Sequence, residues 1–140
     1  MREPAARHVG RYQAAQWQAI AALGITAALL LLPGSALAAL ADWLGLADTP
    51  GPQVSGSDKL VHVALFGLCG YTSLRAWGGR ITQVVQIVLA LALFAGATEV
   101  LQLWVPGRSG SVSDFVADLL GALAGMGLAA RAMILPVRAP

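Results

Sequence analysis

The sequence predicts an all-α polytopic membrane protein, a bundle of four transmembrane helices with both termini cytoplasmic. Three observations carry this reading. Apolar residues make up 57% of the 140 and charged residues 11%, with a mean hydropathy of +0.69; soluble domains run at about 45–50% and about 25%. A chain this short folded in water would need more polar residues to cover its surface, and disorder goes with the opposite composition. The apolar residues also fall into four continuous runs without period-2 alternation, each near the roughly 20 residues that a helix needs to cross a bilayer. Finally, seven of the nine basic residues fall on one side of the resulting topology, as the positive-inside rule demands of the cytoplasmic face.

Taken in order, residues 1–16 read as a basic cytoplasmic arm carrying Arg2, Arg7 and Arg11. Residues 17–134 read as the four-helix transmembrane domain. Its first segment, 17–40, carries no charge. Ala36-Leu37-Ala38 at its end resembles a signal-peptide cleavage site, but the uncharged stretch of 24 residues exceeds the usual core of about 7–15. Residues 41–57 hold Asp42, Asp48, Pro50, Gly51, Pro52 and Gly56, a breaker-rich polar loop. The second segment spans 58–77. Gly78-Gly79-Arg80 turns the chain into the third, 81–105, whose one acid is Glu99. Pro106–Gly110 leads into the fourth, 112–131, with Asp114 and Asp118. Such short connections join antiparallel neighbours. Residues 135–140 form a cytoplasmic tail. The chain is expected to cross its membrane several times. The basic residues are scattered, without the patch that nucleic-acid binding requires. Cys69 is the single cysteine and reads as a small buried hydrophobe. Trp17, Trp43, Trp77 and Trp104 read as interfacial anchors.

The polar residues inside the segments are not scattered. At 1.5 Å per residue, His62 lies about 6 Å inside the second segment and Glu99 about 9 Å from the end of the third. Asp114 and Asp118 lie about 5 and 10 Å inside the fourth. All fall in one layer near the non-cytoplasmic surface. Asp58 and His62 share a helix face at i, i+4, as do Asp114 and Asp118; Glu99 and Gln102 do so at i, i+3. Gly121 and Gly125 continue the aspartate stripe, so this face is polar at its outer end and closely packed below. Intramembrane ionisable groups are costly and mark functional sites by default. Arg108, flanked by Gly107 and Ser109, suits a carboxylate or phosphate, and Ser111 or Ser113 can cap the fourth helix, whose start attracts anions.

These pieces resemble the VanZ-like family of small bacterial membrane proteins: Asp58-Lys59-Leu60-Val61-His62 with Phe66, then Glu99-Val100-Leu101-Gln102, Pro106-Gly107-Arg108-Ser109, and Asp114 with Gly121 and Gly125. The likeness covers about residues 57–128. Asp118 departs from it, since the family usually carries asparagine four residues after the aspartate. The resemblance implies a link to the cell envelope and to glycopeptide (teicoplanin) susceptibility, and supplies no reaction.

Three functional readings follow. In the first, Asp58, Lys59, His62, Glu99, Gln102, Arg108, Ser109, Asp114 and Asp118 bind a phosphate-bearing lipid headgroup, on a polyprenyl-phosphate-linked precursor or a phospholipid. In the second, the protein is a hydrolase or transferase acting on such headgroups, with His62, Glu99 and Asp114 as candidate catalytic residues. His62 then serves as a base oriented by a carboxylate, or the acids and imidazole hold a divalent metal, for which magnesium or manganese suits the oxygen-rich set better than zinc. The sequence does not require a metal or any other cofactor. In the third, the cluster fixes helix register, for a membrane-protein partner or a homo-oligomer.

Overall fold

A computed structural model describes residues 3–43, 45 and 57–134. Among these the chain is all-helical: α1 (Glu3–Leu31), α2 (Gly34–Trp43), α3 (Ser57–Trp77), α4 (Ile81–Gln102) and α5 (Val112–Ile134). Three helices are long and apolar enough to cross a membrane: Tyr12–Leu31, Ile81–Gln102 and Val112–Ile134. α3 has 21 residues and thus a length of about 31 Å, but it is more polar, carrying Asp58, Lys59, His62, Ser73 and Arg75.

The distribution of side chains is that of a protein solvated by lipid. Ile20, Leu89, Leu93, Leu120 and Leu128 are at least half exposed, while Asp118, Gln102, Thr26 and Thr98 are fully buried. In water this arrangement would be inverted. Thr98, Gln102 and Asp118, with Gly121 and Gly125, therefore face inward, where the polar groups find partners and the glycines allow close approach.

The first segment differs from its sequence reading. The uncharged run 17–40 is not one helix, and the helix begins well before residue 17. α1 starts at Glu3, ends at Leu31, and Leu32-Pro33 separates it from α2. Proline has no N–H to offer the carbonyl four residues back, and its ring collides with it. The hydropathy of the run is continuous, but its backbone hydrogen bonding is not. The chain redirects at once: the Gly34 N–H donates to the Pro106 carbonyl at 3.2 Å, docking the start of α2 on the turn that follows α4. Gly107 in that turn has φ +74°, a left-handed conformation that glycine adopts at no steric cost. A Cβ on Gly34 would press on the Gly107 carbonyl, so both glycines are needed for this contact.

α3 and α5 form the closest pair. A Cβ added at Gly121 would overlap the Val63 backbone, and one at Gly125 the Gly67 carbonyl; the same holds for Gly70 against Ala122. The matched order, Val63 with Gly121 and Gly67 with Gly125, shows that these helices run parallel. Their N-termini lie at one end of the bundle, with the C-termini of α1 and α4. Below that end, Phe66 and Phe94 pack at 5.5 Å between ring centroids with planes tilted by 38°, alongside Leu30, Ile87 and Leu91. Cys69 is buried as expected, with Sγ 3.2 Å from Thr26 Oγ1.

Candidate functional site

At the shared end of the bundle α3, α4 and α5 each contribute one buried ionisable side chain. His62 Nδ1 lies 2.8 Å from Asp118 Oδ1 and 3.7 Å from Glu99 Oε1. Asp118 is wholly inaccessible, and His62 and Glu99 are 4% and 8% exposed. One ligand atom from each of the three lies within 4.8 Å of the others. The helical spacing explains the convergence. Asp118 sits one turn above Gly121 on the face of α5 that meets α3, so the glycine contact seats the carboxylate against His62 on the parallel helix.

Glu99 has a second role. Its Oε2 accepts the backbone N–H of Ser111 at 2.5 Å, while Ser111 Oγ accepts the N–H of Asp114 at 3.1 Å. Ser111 is thus the N-cap of α5, and its own N–H is satisfied by an acid from the neighbouring helix. A capping box would take that acid from the third helical position. Here Asp114 occupies it and turns toward α3 instead, with Oδ1 3.3 Å from Lys59 Nζ. The two aspartates of α5, read as one stripe, separate into a part-buried pair with the exposed Lys59 and a buried pair with His62.

Arg108 and Gln102 are engaged with α1. Arg108 donates through Nη2 to the Leu29 carbonyl at 2.9 Å and through Nε to that of Leu32 at 3.3 Å. Gln102 Nε2 donates to the Leu30 carbonyl at 3.1 Å. Leu29 would have used the N–H of residue 33, which proline lacks, and Leu30 that of Gly34, which turns to Pro106. The two side chains therefore complete the carboxyl end of α1. Sequence reasoning missed this role because main-chain carbonyls leave no signature in a sequence; the one signal was Pro33 followed by Gly34 inside an apolar run. Ser109 is exposed and the side chain of Asp58 lies outside the described residues.

Two cavities flank the cluster. One of about 180 Å³ is lined by Leu29, Leu30, Leu37, Val61, His62 and Arg108. The other, an apolar groove of about 300 Å³ between α4 and α5, is lined by Gly96, Glu99, Val100, Leu103, Ser111 and Phe115, among others. His62 lines the first and Glu99 the second. Of the cluster's oxygens, Glu99 Oε1 and Asp118 Oδ2 have no hydrogen-bond partner among the described residues.

No curated protein and no solved structure matches the chain. A family model described as VanZ/LLP1 matches residues 11–135.

Proposed function

The chain belongs to the VanZ/LLP1 family, and we propose that it binds a phosphate-bearing lipid headgroup at the polar end of its bundle. In this reading it is a multi-pass protein of the bacterial cytoplasmic membrane. α3 crosses as a fourth span, shielded by α1 and α5, and both termini are cytoplasmic. The observation that carries the proposal is the cavity lined by both Arg108 and His62, the latter held through Nδ1 by buried Asp118. A guanidinium and an imidazole in one lining with leucine and valine side chains fit an anionic group attached to an acyl or polyprenyl chain. Arg108 acts there while also capping α1, so headgroup binding and the α1 break are one structural unit. Occupation of the cavity by a lipid precursor or phospholipid links the protein to envelope composition, and through it to the susceptibility to acylated glycopeptides that the VanZ resemblance implies.

A second reading, headgroup hydrolysis or transfer, is favoured by the His62–Asp118 pair. A carboxylate on Nδ1 holds the ring in the tautomer whose Nε2 can accept a proton.

Native mass spectrometry of the chain released from nanodiscs of defined phospholipid tests the binding proposal. The wild type should retain a phosphate-bearing lipid, and Leu37→Trp, which fills the cavity while leaving His62 and Arg108 in the sequence, should lose it. Equal retention by both overturns the proposal. Headgroup products released by the wild type and not by His62→Gln would favour the second reading.

A further inference from the structure

We infer that His62, Glu99 and Asp118 form a divalent-cation site of the manganese type, one ligand from each of α3, α4 and α5. This goes beyond the headgroup reading and does not depend on it; a cation at Nδ1 takes the place of the proton that His62 and Asp118 share in the metal-free chain.

The argument begins with charge. The triad contains two carboxylates and one imidazole, so even a protonated His62 leaves it one positive charge short. Of the cations near it, Lys59 lies against Asp114, and Arg108, whose charge the Leu29 and Leu32 carbonyls do not cancel, makes no ion pair with either acid among the described residues. An uncompensated charge at this depth is costly.

The second element is the pair of orphaned oxygens. Glu99 Oε1 and Asp118 Oδ2 are buried without a hydrogen-bond partner among the described residues. A cation satisfies several oxygen lone pairs at once and supplies the missing charge.

The third is geometry. Ligands about 2.1 Å from a six-coordinate cation lie about 3 Å from one another. His62 Nδ1 is 2.8 Å from Asp118 Oδ1 and 3.7 Å from Glu99 Oε1, and the whole set closes within 4.8 Å. Modest inward movement of the Glu99 carboxyl completes the set. Its other oxygen remains on the Ser111 N–H, which orients the ligand as outer hydrogen bonds do at metal sites. Two carboxylates with one imidazole favour a cation that accepts oxygen and nitrogen together, which Mn²⁺ does. Three protein ligands leave positions open. Water or an anion's oxygen would complete the shell.

The test uses the full chain in mild detergent with no added lipid, stripped with chelator and titrated with Mn²⁺ alone. The expected result is one Mn²⁺ per chain by electron paramagnetic resonance, with a ¹⁴N modulation from a coordinated imidazole. Affinity should fall at least tenfold in Glu99→Gln and Asp118→Asn, and remain unchanged in Asp42→Asn on α2. No saturable binding, binding without the nitrogen signal, or binding unaltered by either triad substitution overturns the inference. Should a triad variant fail to fold, the nitrogen signal of the wild type and its loss in His62→Asn decide the matter. Because lipid is absent, failure here leaves headgroup retention separately testable.

Discussion

Arg108 stands in for the amide that Pro33 lacks: its Nη2 donates to the Leu29 carbonyl at 2.9 Å, 79 residues away in the chain. Replacing Arg108 with alanine should therefore destabilise the bundle by about 1–3 kcal/mol, the cost of a part-buried carbonyl left unpaired in lipid. The cost should shrink when Pro33→Ala is also present, since residue 33 can then donate to Leu29 itself. A double-mutant cycle on thermal unfolding in detergent measures the coupling. Strict additivity would show that Arg108 does not serve the α1 terminus.

The glycine contacts of α3 and α5 give a paired prediction. Gly125→Ala drives a Cβ into the Gly67 carbonyl, whereas Gly127, on the same helix, has nothing within 4 Å of its Cβ position. Overpacking a tight interface costs typically about 1–3 kcal/mol. Gly127→Ala should be neutral or slightly stabilising, as alanine is the better helix former. Melting temperatures of the two variants in the same micelle check this. Because the contact seats Asp118 against His62, Gly125→Ala should also weaken whatever the triad binds.

The N-terminus of α5 is capped twice, through the Ser111 hydroxyl and through Glu99 on the Ser111 N–H. Ser111→Ala should cost about 0.5–2 kcal/mol. Glu99→Gln keeps a carbonyl oxygen for the same N–H and should be nearly neutral in stability, while Glu99→Leu removes the acceptor and should not be. Amide hydrogen exchange at residues 111–114 resolves the effect from global unfolding: protection lost in Glu99→Leu and kept in Glu99→Gln is the expected pattern.

The same contacts explain what could be read from the sequence. The family and the polar layer were legible because helical periodicity decides which residues share a face, and a glycine stripe below two aspartates points them to one neighbour. His62, Glu99, Gln102 and Asp118 indeed lie buried at one end. The partition of the aspartates was not legible. It depends on the register of α5 against α3, which brings Lys59 to Asp114 and His62 to Asp118. The guanidinium chemistry that points Arg108 toward a ligand is visible in the sequence, whereas the carbonyls that engage it are present at every residue. Pro33 breaks α1 inside a run of continuous hydropathy because in lipid the missing N–H matters more, since water is not there to replace it.

The four-crossing topology yields the last prediction. If α3 spans the bilayer with α1, α4 and α5, the α3–α4 turn lies in the cytoplasm and the α4–α5 turn outside. Arg80 and Ser109 are both exposed, so cysteines placed there report the two sides. In intact spheroplasts a membrane-impermeant maleimide should label Ser109→Cys and leave Arg80→Cys unlabelled until the cells are opened. Cys69 gives little background, being fully buried beside Thr26. Labelling of both positions from the same side would remove the crossing by α4 that separates them. The reverse pattern would place the His62–Asp118–Glu99 layer at the cytoplasmic leaflet, and with it the lipid pool available to the cavity.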